Sequence, residues 1–375
     1  MKLDLTHEQE LVRDTTKRFL ADQCPVTAVR ALADSALGYD RQWWRRGAEL
    51  GWTAMLVPEE HGGGSPSGDG LFDLVVVAEE MGRMVSPGPL VPINVVAAAL
   101  ARAGSHEQRR ALLPGLAAGE TAAAWCLAED DKWDARGGEC GARREGDGYV
   151  LQGRKSPVEA AVGADHLLVS IRTDGGGSTQ FVVPADAPGI SIRPLRSLDL
   201  VRRFAEVRFD AVAVPSSAVV GAAGGADADI EHQLQVAVVL QCAETVGAVD
   251  RTLAFTIDYA FQRFSFGRPL ASYQALKHRF ADAKMWSEAS LATAAAAAAA
   301  VNAGTADAAE LVSVAAAYIG DRSTAIIQDC VQLHGGIGVT WEHDIHLYLR
   351  RAAVNAAVYG TPQQHRERIA TLLAV

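Results

Sequence analysis

Paired cysteines, long apolar runs and clusters of basic residues are all scarce in this sequence. Its five cysteines are scattered, with no Cys-x-x-Cys spacing, so neither a zinc site nor a disulfide framework is indicated and a reducing cytoplasm is expected. The net charge of −10 argues against a nucleic-acid groove or an anionic membrane surface, because both require clustered Lys and Arg. No run of roughly 18 strongly apolar residues predicts a membrane span, and residues 1–10 carry charges where a signal peptide needs an apolar core.

The first third of the chain has helical patterning. At 375 residues and 49% hydrophobic, the chain is long enough for two or three units with their own cores. Thr6 and Gln9 have the spacing of a capping box, which predicts a helix to about Gln23. Helical patterning continues, with breaks, to about Gly119. Three tryptophans are expected in this part of the core: Trp43, Trp44 and Trp52.

The hydrophobic period changes from 3.6 to 2 near Ala122 and back again near Ile230. The middle part is therefore predicted to be a small antiparallel β domain, followed by a Gly- and Ala-rich connector. Residues 289–301 are mostly alanine, which favours a closely packed helix but is too weakly apolar to span a bilayer. The fold class is α+β, with three expected domains: an N-terminal helical domain (1–120), a middle β domain (121–222) and a C-terminal helical bundle (228–375).

Two motifs in the C-terminal part indicate an anion-binding surface. Gly335 and Gly336 lack a Cβ, so the backbone can adopt positive φ and present N–H groups closely to a ligand. On their own such glycines are more often a turn between two helices. Some seventy residues upstream, Arg263 offers a planar cationic fork that suits a pyrophosphate, although a surface ion pair is the ordinary alternative.

These motifs, with VPEEHGG at 57–63, AEEMGR at 78–83 and LPGLAAGE at 113–120, resemble the acyl-CoA dehydrogenase family over nearly the whole chain, in particular its actinobacterial heteromeric type. The resemblance implies a C-terminal four-helix bundle, FAD as cofactor, an acyl-CoA thioester as substrate and an electron-transfer flavoprotein as acceptor. It also implies a dimer of dimers, formed with itself or with a homologous subunit. Residues matching the family's contacts to the adenosine diphosphate of FAD are Arg263, Phe266, Gln274, Gln332, Gly335 and Gly336, and Thr361 keeps a position on the same-subunit side.

The catalytic base of the family has no match here. The family's reaction takes a proton from the carbon beside the thioester carbonyl while hydride leaves the next carbon for flavin N5, which requires a carboxylate base. The two positions used for that Glu correspond to Tyr359 and Ala237. A tyrosine with an ordinary pKa is only ~0.1% ionised at pH 7 and is a poor base. Glu244 is a third candidate, for which packing within its helix is the competing interpretation.

The β half of the flavin site also departs from the family. Residues 128–134 read AEDDKWD where the family has Thr-Glu-Pro-x-x-Gly-Ser-Asp under the flavin ring. Pro157 and Glu159 replace the Trp and Thr that contact the flavin edge. A carboxylate beside the ring would disfavour reduced, anionic flavin. The resemblance therefore implies that this half of the flavin pocket has lost most of the family's ring-contacting residues.

In the family, the residues that contact the flavin ring and those that contact the adenosine diphosphate come from different subunits. The ring-contacting strands and the base belong to the subunit that holds the flavin, whereas the Arg263 and Gly336 equivalents reach a neighbour's FAD. The first set is largely lost here and the second is intact, which predicts a supporting subunit that completes a homologous partner's site. Two alternatives stay open: a self-sufficient dehydrogenase with Glu244 or another base, and a non-enzymatic module that binds acyl-CoA or assists assembly.

A metal site is not predicted. His343 and His346 lie three residues apart and could share a metal on a helix, with Glu342 and Asp344 as further ligands. The same segment matches a structural helix in the resembled family, which is the preferred interpretation.

Overall fold

The N-terminal part is helical and begins at the predicted capping box. The computed structural model describes residues 5–130, 132–133, 138–173 and 177–374. Thr6 accepts a hydrogen bond from the Gln9 N–H and the Gln9 side chain accepts one from the Thr6 N–H, which confirms the predicted start. Trp43, Trp44 and Trp52 are buried against one another, as predicted. The helices here are α1 (His7–Gln23), α2 (Val26–Ala31), α3 (Arg41–Ala48), α4 (Gly70–Arg83), α5 (Leu90–Ala103) and α6 (His106–Ala117), with a 3-10 turn at Glu59–His61.

A β-sheet follows, in the spatial order β6-β7-β3-β2-β4-β5-β8, with β1 beside β4. Most neighbouring strands are antiparallel, but β1 and β2 each run parallel to β4, a mixture that sequence alternation did not predict. Asp131 and Asp134 of the AEDDKWD segment lie outside the described residues. The strands are β1 (Ala123–Cys126), β2 (Gly141–Glu145), β3 (Gly148–Glu159), β4 (His166–Thr173), β5 (Ser178–Pro184), β6 (Ile190–Leu195), β7 (Phe204–Pro215) and β8 (Val219–Val220), with a 3-10 turn at Ser216–Ala218.

The C-terminal part is again helical, which confirms the predicted α–β–α order. The alanine-rich segment is helical and packed: Ala294, Ala297 and Ala298 are buried. In the described part of the chain, no helix combines the length and apolarity needed to cross a membrane. The elements are α7 (Asp227–Gln262), the hairpin β9 (Phe264–Ser265) and β10 (Arg268–Pro269), α8 (Gln274–Ala303), α9 (Ala308–His334), α10 (Ile345–Asn355) and α11 (Pro362–Leu372), with 3-10 turns at Leu270–Ser272 and Gly335–Val339.

Helix α7 packs directly against α4 of the N-terminal part, with no side chains between the two backbones at their crossing points. A Cβ on Gly82 would lie 1.8 Å from the Glu244 carbonyl oxygen, and one on Gly247 would lie 1.9 Å from the Glu79 carbonyl oxygen. Only glycine fits at both crossing points. This close approach places the Glu244 side chain at the junction of the N-terminal helices, the sheet and the C-terminal helices.

Candidate functional site

A buried ion pair lies at the end of strand β3, where the resemblance places the flavin edge. Arg202, in the loop between β6 and β7, donates from Nε to Glu159 Oε1 at 2.8 Å and from Nη2 to Oε2 at 2.5 Å. The two side chains are 4% and 7% exposed. Burial alone would lower the pKa of Arg202, but the charges of Glu159 and Glu244 outweigh it and raise the pKa. The guanidinium thus stays charged and satisfies both oxygens of Glu159.

A second buried arginine extends this pair into a network. Arg351, on α10, donates to Asp199 Oδ2 at 2.5 Å and to Glu244 Oε1 at 2.6 Å. Glu244 Oε2 accepts from Asn355 Nδ2 at 3.0 Å and from Arg202 Nη1 at 3.3 Å. Both oxygens of Glu244 are therefore occupied by donors of the chain itself. This arrangement suits an ion pair rather than a general base.

Tyr359, at the register of the usual base, fills the space next to this network. Its hydroxyl donates to Glu159 Oε2 at 3.4 Å. Its ring centroid is 4.9 Å from that of Trp133 and 6.2 Å from that of Trp125. Burial, followed by the charge of Glu159, raises the pKa of Tyr359 well above its ordinary value, so its phenolate is even less populated at neutral pH than that of a solvated tyrosine. Ala237, the other base position, is fully buried on α7.

The residues predicted to reach a neighbour's cofactor lie on the surface. Arg263 follows α7, and Phe266, at the tip of the hairpin, is 97% exposed with φ of 49°. Tyr259 donates to the His334 carbonyl oxygen at 3.3 Å and so ties the end of α7 to the end of α9. The remaining predicted residues are also exposed: Arg263, Gln274, Gln332, Gly335 and Gly336.

The glycine turn after α9 is open on its outer side. Gly335 has φ of 62°, and a Cβ on Gly335 or Gly336 would meet nothing within 4 Å. Besides Phe266, several large apolar side chains in or next to this turn and the hairpin are exposed. They are Phe261 (64%), Phe264 (61%), Ile337 (48%) and Val339 (78%). An apolar surface of this kind is typical of a protein interface.

Two sequence candidates have structural roles. The Thr361 hydroxyl accepts from the Gln364 N–H at 3.2 Å and caps α11, so the chain itself uses it. His343 Nδ1 accepts from the Ile345 N–H at 3.1 Å, and His346 Nε2 lies 3.2 Å from the Trp341 carbonyl oxygen. Over the residues that the structure describes, no group of His, Cys, Asp and Glu side chains is arranged to hold a metal.

Sequence reasoning missed the two arginines that dominate the site. Arg351 lies between Tyr348 and Ala352, both buried, so a cation on the apolar face of a helix was the available signal. Arg202 follows Asp199 by three residues in a loop, and that carboxylate accepts the N–H groups of residues 201 and 202. Neither local pattern predicts which distant carboxylate the arginine will contact.

Two family models cover most of the chain. Residues 6–120 match the acyl-CoA dehydrogenase N-terminal domain, and residues 224–374 match the acyl-CoA dehydrogenase C-terminal domain. The chain belongs to the acyl-CoA dehydrogenase family. This confirms the resemblance drawn from the motifs, and with it the membership in a family of FAD-dependent oxidoreductases of lipid metabolism.

Similar proteins extend over the full length. Acyl-CoA dehydrogenase IpdE2 of Mycolicibacterium smegmatis is 30% identical over 366 residues, 97% of this chain and 98% of that protein. IpdE2 of Mycobacterium tuberculosis is 32% identical over 368 residues, 96% of each. Among solved structures, a variant of the Tcur3481-Tcur3483 steroid ACAD is 31% identical with a TM-score of 0.89 and 98% coverage of both chains. The ChsE4-ChsE5 complex from Mycobacterium tuberculosis is 26% identical with a TM-score of 0.89, over 100% of this chain and 99% of that one.

FAD is the cofactor of acyl-CoA dehydrogenases. The residues of this chain suit the diphosphate of FAD but not its flavin ring. The exposed fork of Arg263 and the open glycine turn suit a diphosphate brought by another subunit. The same-subunit side does not fit. Glu159 and Tyr359, at the registers of the flavin edge and the base, touch each other, so no isoalloxazine ring and thioester can lie between them.

Proposed function

We propose that this chain is the supporting subunit of a heteromeric acyl-CoA dehydrogenase and completes the FAD site of a homologous partner. The observation that carries the proposal is the 3.4 Å contact between the Tyr359 hydroxyl and Glu159 Oε2. In an active site of this family, flavin and substrate separate those two registers. Here the chain's own side chains occupy that space, and a base is absent from both usual positions.

The contribution to the partner is electrostatic and positional. Arg263 supplies a permanent positive charge and two parallel donors for the diphosphate. Gln274 and Gln332 supply amide groups, and the turn at Gly335–Val339 allows close approach of the backbone. The partner supplies the ring-binding strands, the carboxylate base and the acyl-CoA thioester site. Electrons then leave the partner's flavin for an electron-transfer flavoprotein.

Two relatives favour a two-component assembly. The Tcur3481-Tcur3483 and ChsE4-ChsE5 structures are named as pairs of different chains, and both cover nearly all of this one. We extend that organisation to this protein. We expect the assembly in the cytoplasm, because the five cysteines are buried, free thiols.

Reconstitution tests the proposal against its two alternatives. Each chain is purified alone, the candidate partner being a homologous acyl-CoA dehydrogenase chain from the same organism, and the two are mixed with FAD. We expect tight FAD binding and acyl-CoA dehydrogenation only in the mixture, and a mixture with the Arg263→Ala variant should be impaired. Turnover by this chain alone would instead support a self-sufficient enzyme, and failure to bind FAD in any mixture would support a non-enzymatic module.

A further inference from the structure

A single arginine of the N-terminal part holds the segment that follows the glycine turn. Arg30, on α2, donates to Asp344 Oδ1 from Nη2 at 2.8 Å and from Nε at 3.1 Å. It also donates to the carbonyl oxygens of Trp341 and, at 3.3 Å, Glu342. Its Cζ lies 5.5 Å from the Trp341 ring centroid, within cation–π range. One side chain thus contacts three of the four residues from 341 to 344.

The other end of the turn has its own anchor. His334, the last residue of α9, is 3% exposed, and its Nδ1 lies 2.9 Å from the Cys330 carbonyl oxygen. Its ring stacks on Tyr259 with centroids 4.5 Å apart, and the Tyr259 hydroxyl bonds to the His334 carbonyl oxygen. These contacts hold the turn where it begins. Arg30 holds the chain where the turn has ended.

Between these anchors only Gly338 is buried among the residues of the turn, where a Cβ would lie 2.6 Å from the Val331 carbonyl oxygen. Gly335 and Gly336 are exposed and have no side chains, and Val339 is 78% exposed. Glycine loses more backbone conformational entropy on ordering than any other residue. An exposed glycine turn therefore keeps a single conformation only if both of its ends are fixed. A lysine could not replace the arginine fully, because its single ammonium cannot reproduce the planar fork that reaches a carboxylate and two carbonyls together.

We propose that Arg30 is a positioning residue that holds the Gly335–Val339 turn in the shape needed to receive the partner's FAD. The inference rests on the proposed function for the identity of the ligand. The restraint on the turn can be measured in the chain alone, so the two can fail separately.

The first test is hydrogen exchange of the chain alone, with amides 335–344 read out in the Arg30→Gln, Arg30→Lys and Arg18→Gln variants. Arg18 is the matched control, because it lies on the exposed face of α1 and donates a hydrogen bond to the Asp14 carbonyl oxygen within its own helix. We expect on the order of three-fold faster exchange in Arg30→Gln, a smaller effect in Arg30→Lys and none in Arg18→Gln. Unchanged exchange in Arg30→Gln would overturn the proposal.

The second test is the dissociation rate of FAD from the reconstituted heteromer. Arg30→Gln should release FAD several-fold faster at an unchanged melting temperature, and Arg30→Lys should recover part of the loss. If Arg30→Gln melts earlier or exchanges faster throughout the chain, Arg30 has a general structural role and the proposal fails. If exchange rises only at 335–344 but the heteromer binds no FAD even with Arg30 intact, the restraint stands and the proposed function fails.

Discussion

Arg202 and Glu159 meet inside the protein as a two-point ion pair, with donor–acceptor distances of 2.8 and 2.5 Å. Glu159 lies at the register of the family's flavin edge, where a free carboxylate would oppose reduced flavin. The structure gives it a different neighbour, a guanidinium that neutralises it. The two charges neutralise each other inside the protein, which explains how the buried carboxylate is tolerated at this position.

Removing one partner of this pair should be costly. Arg202→Met leaves Glu159 buried and uncompensated, and we expect a loss of about 3–5 kcal/mol in the free energy of unfolding. The double variant Arg202→Met with Glu159→Leu should be more stable than Arg202→Met alone, because no charge is then left unpaired. Urea unfolding of the three proteins measures this. A double variant less stable than the single one would show that the ion pair is not the unit of stability.

Stability should fall in mild acid because of His365. Burial, with a contribution from the positive charge of Arg368, lowers the pKa of His365 to about 4. The unfolded chain binds this proton near pH 6.5 and the folded chain only near pH 4. The contribution of neutral His365 to the free energy of unfolding is therefore fully present above pH 6.5 and is lost as the pH falls towards 4. The gap corresponds to roughly 3 kcal/mol. His365→Gln should flatten the pH dependence of the unfolding free energy over this window, and an unaltered slope would show that other groups cause it.

The FAD content of the assembly should depend on Arg263 and hardly on Tyr359. Arg263→Ala removes the guanidinium that we propose binds the diphosphate, so we expect less bound FAD after gel filtration. Tyr359→Phe removes only a hydroxyl whose acceptor, Glu159, keeps its arginine. Arg110→Ala, an exposed cation on α6, is the control for loss of charge. If Tyr359→Phe abolished turnover at normal FAD content, Tyr359 would have a chemical role that we have not assigned.

A carboxylate at 359 should not by itself create an active enzyme. Tyr359→Glu restores the usual residue, and a missing base accounts for ~10²–10⁴ in rate. It also places a second carboxylate beside Glu159 and does not restore the family's ring-contacting residues at 157 and 159, so we expect no bound flavin to accept the hydride. Anaerobic mixing of this variant with a panel of acyl-CoA thioesters, followed at the flavin absorbance band, is the measurement. Rapid bleaching would mean that the chain seats FAD productively after all.

The sequence predicts the fold better than the site. Local signals define the helices: the capping residues Thr6 and Gln9 are three apart, and so are Thr361 and Gln364. The ion network joins residues remote in the chain, with Arg202 43 positions from Glu159 and 153 from Asn355. No local pattern encodes such pairs. The set around Arg263 stays a prediction: two short local motifs, at 263–274 and 332–336, allowed it to be proposed from the sequence, and the structure shows these residues exposed.

The hairpin surface should drive assembly. Phe266 is almost fully exposed in the single chain, and burying a Phe side chain is worth about 1.5–3 kcal/mol. Phe266→Asp should therefore weaken association by about ten-fold or more, whereas Leu11→Asp, an exposed apolar residue on α1, should not. Analytical ultracentrifugation at micromolar concentration measures both. A monomeric unmodified chain, with and without the partner, would contradict the interface.

The ratio of FAD to protein in the co-purified assembly tests the central claim most directly. Native mass spectrometry gives the subunit composition, and the flavin released by denaturation gives the amount of FAD. The account predicts one FAD per pair of different chains and none in this chain purified alone. Two FAD per pair, or one FAD per chain in the protein purified alone, would contradict it.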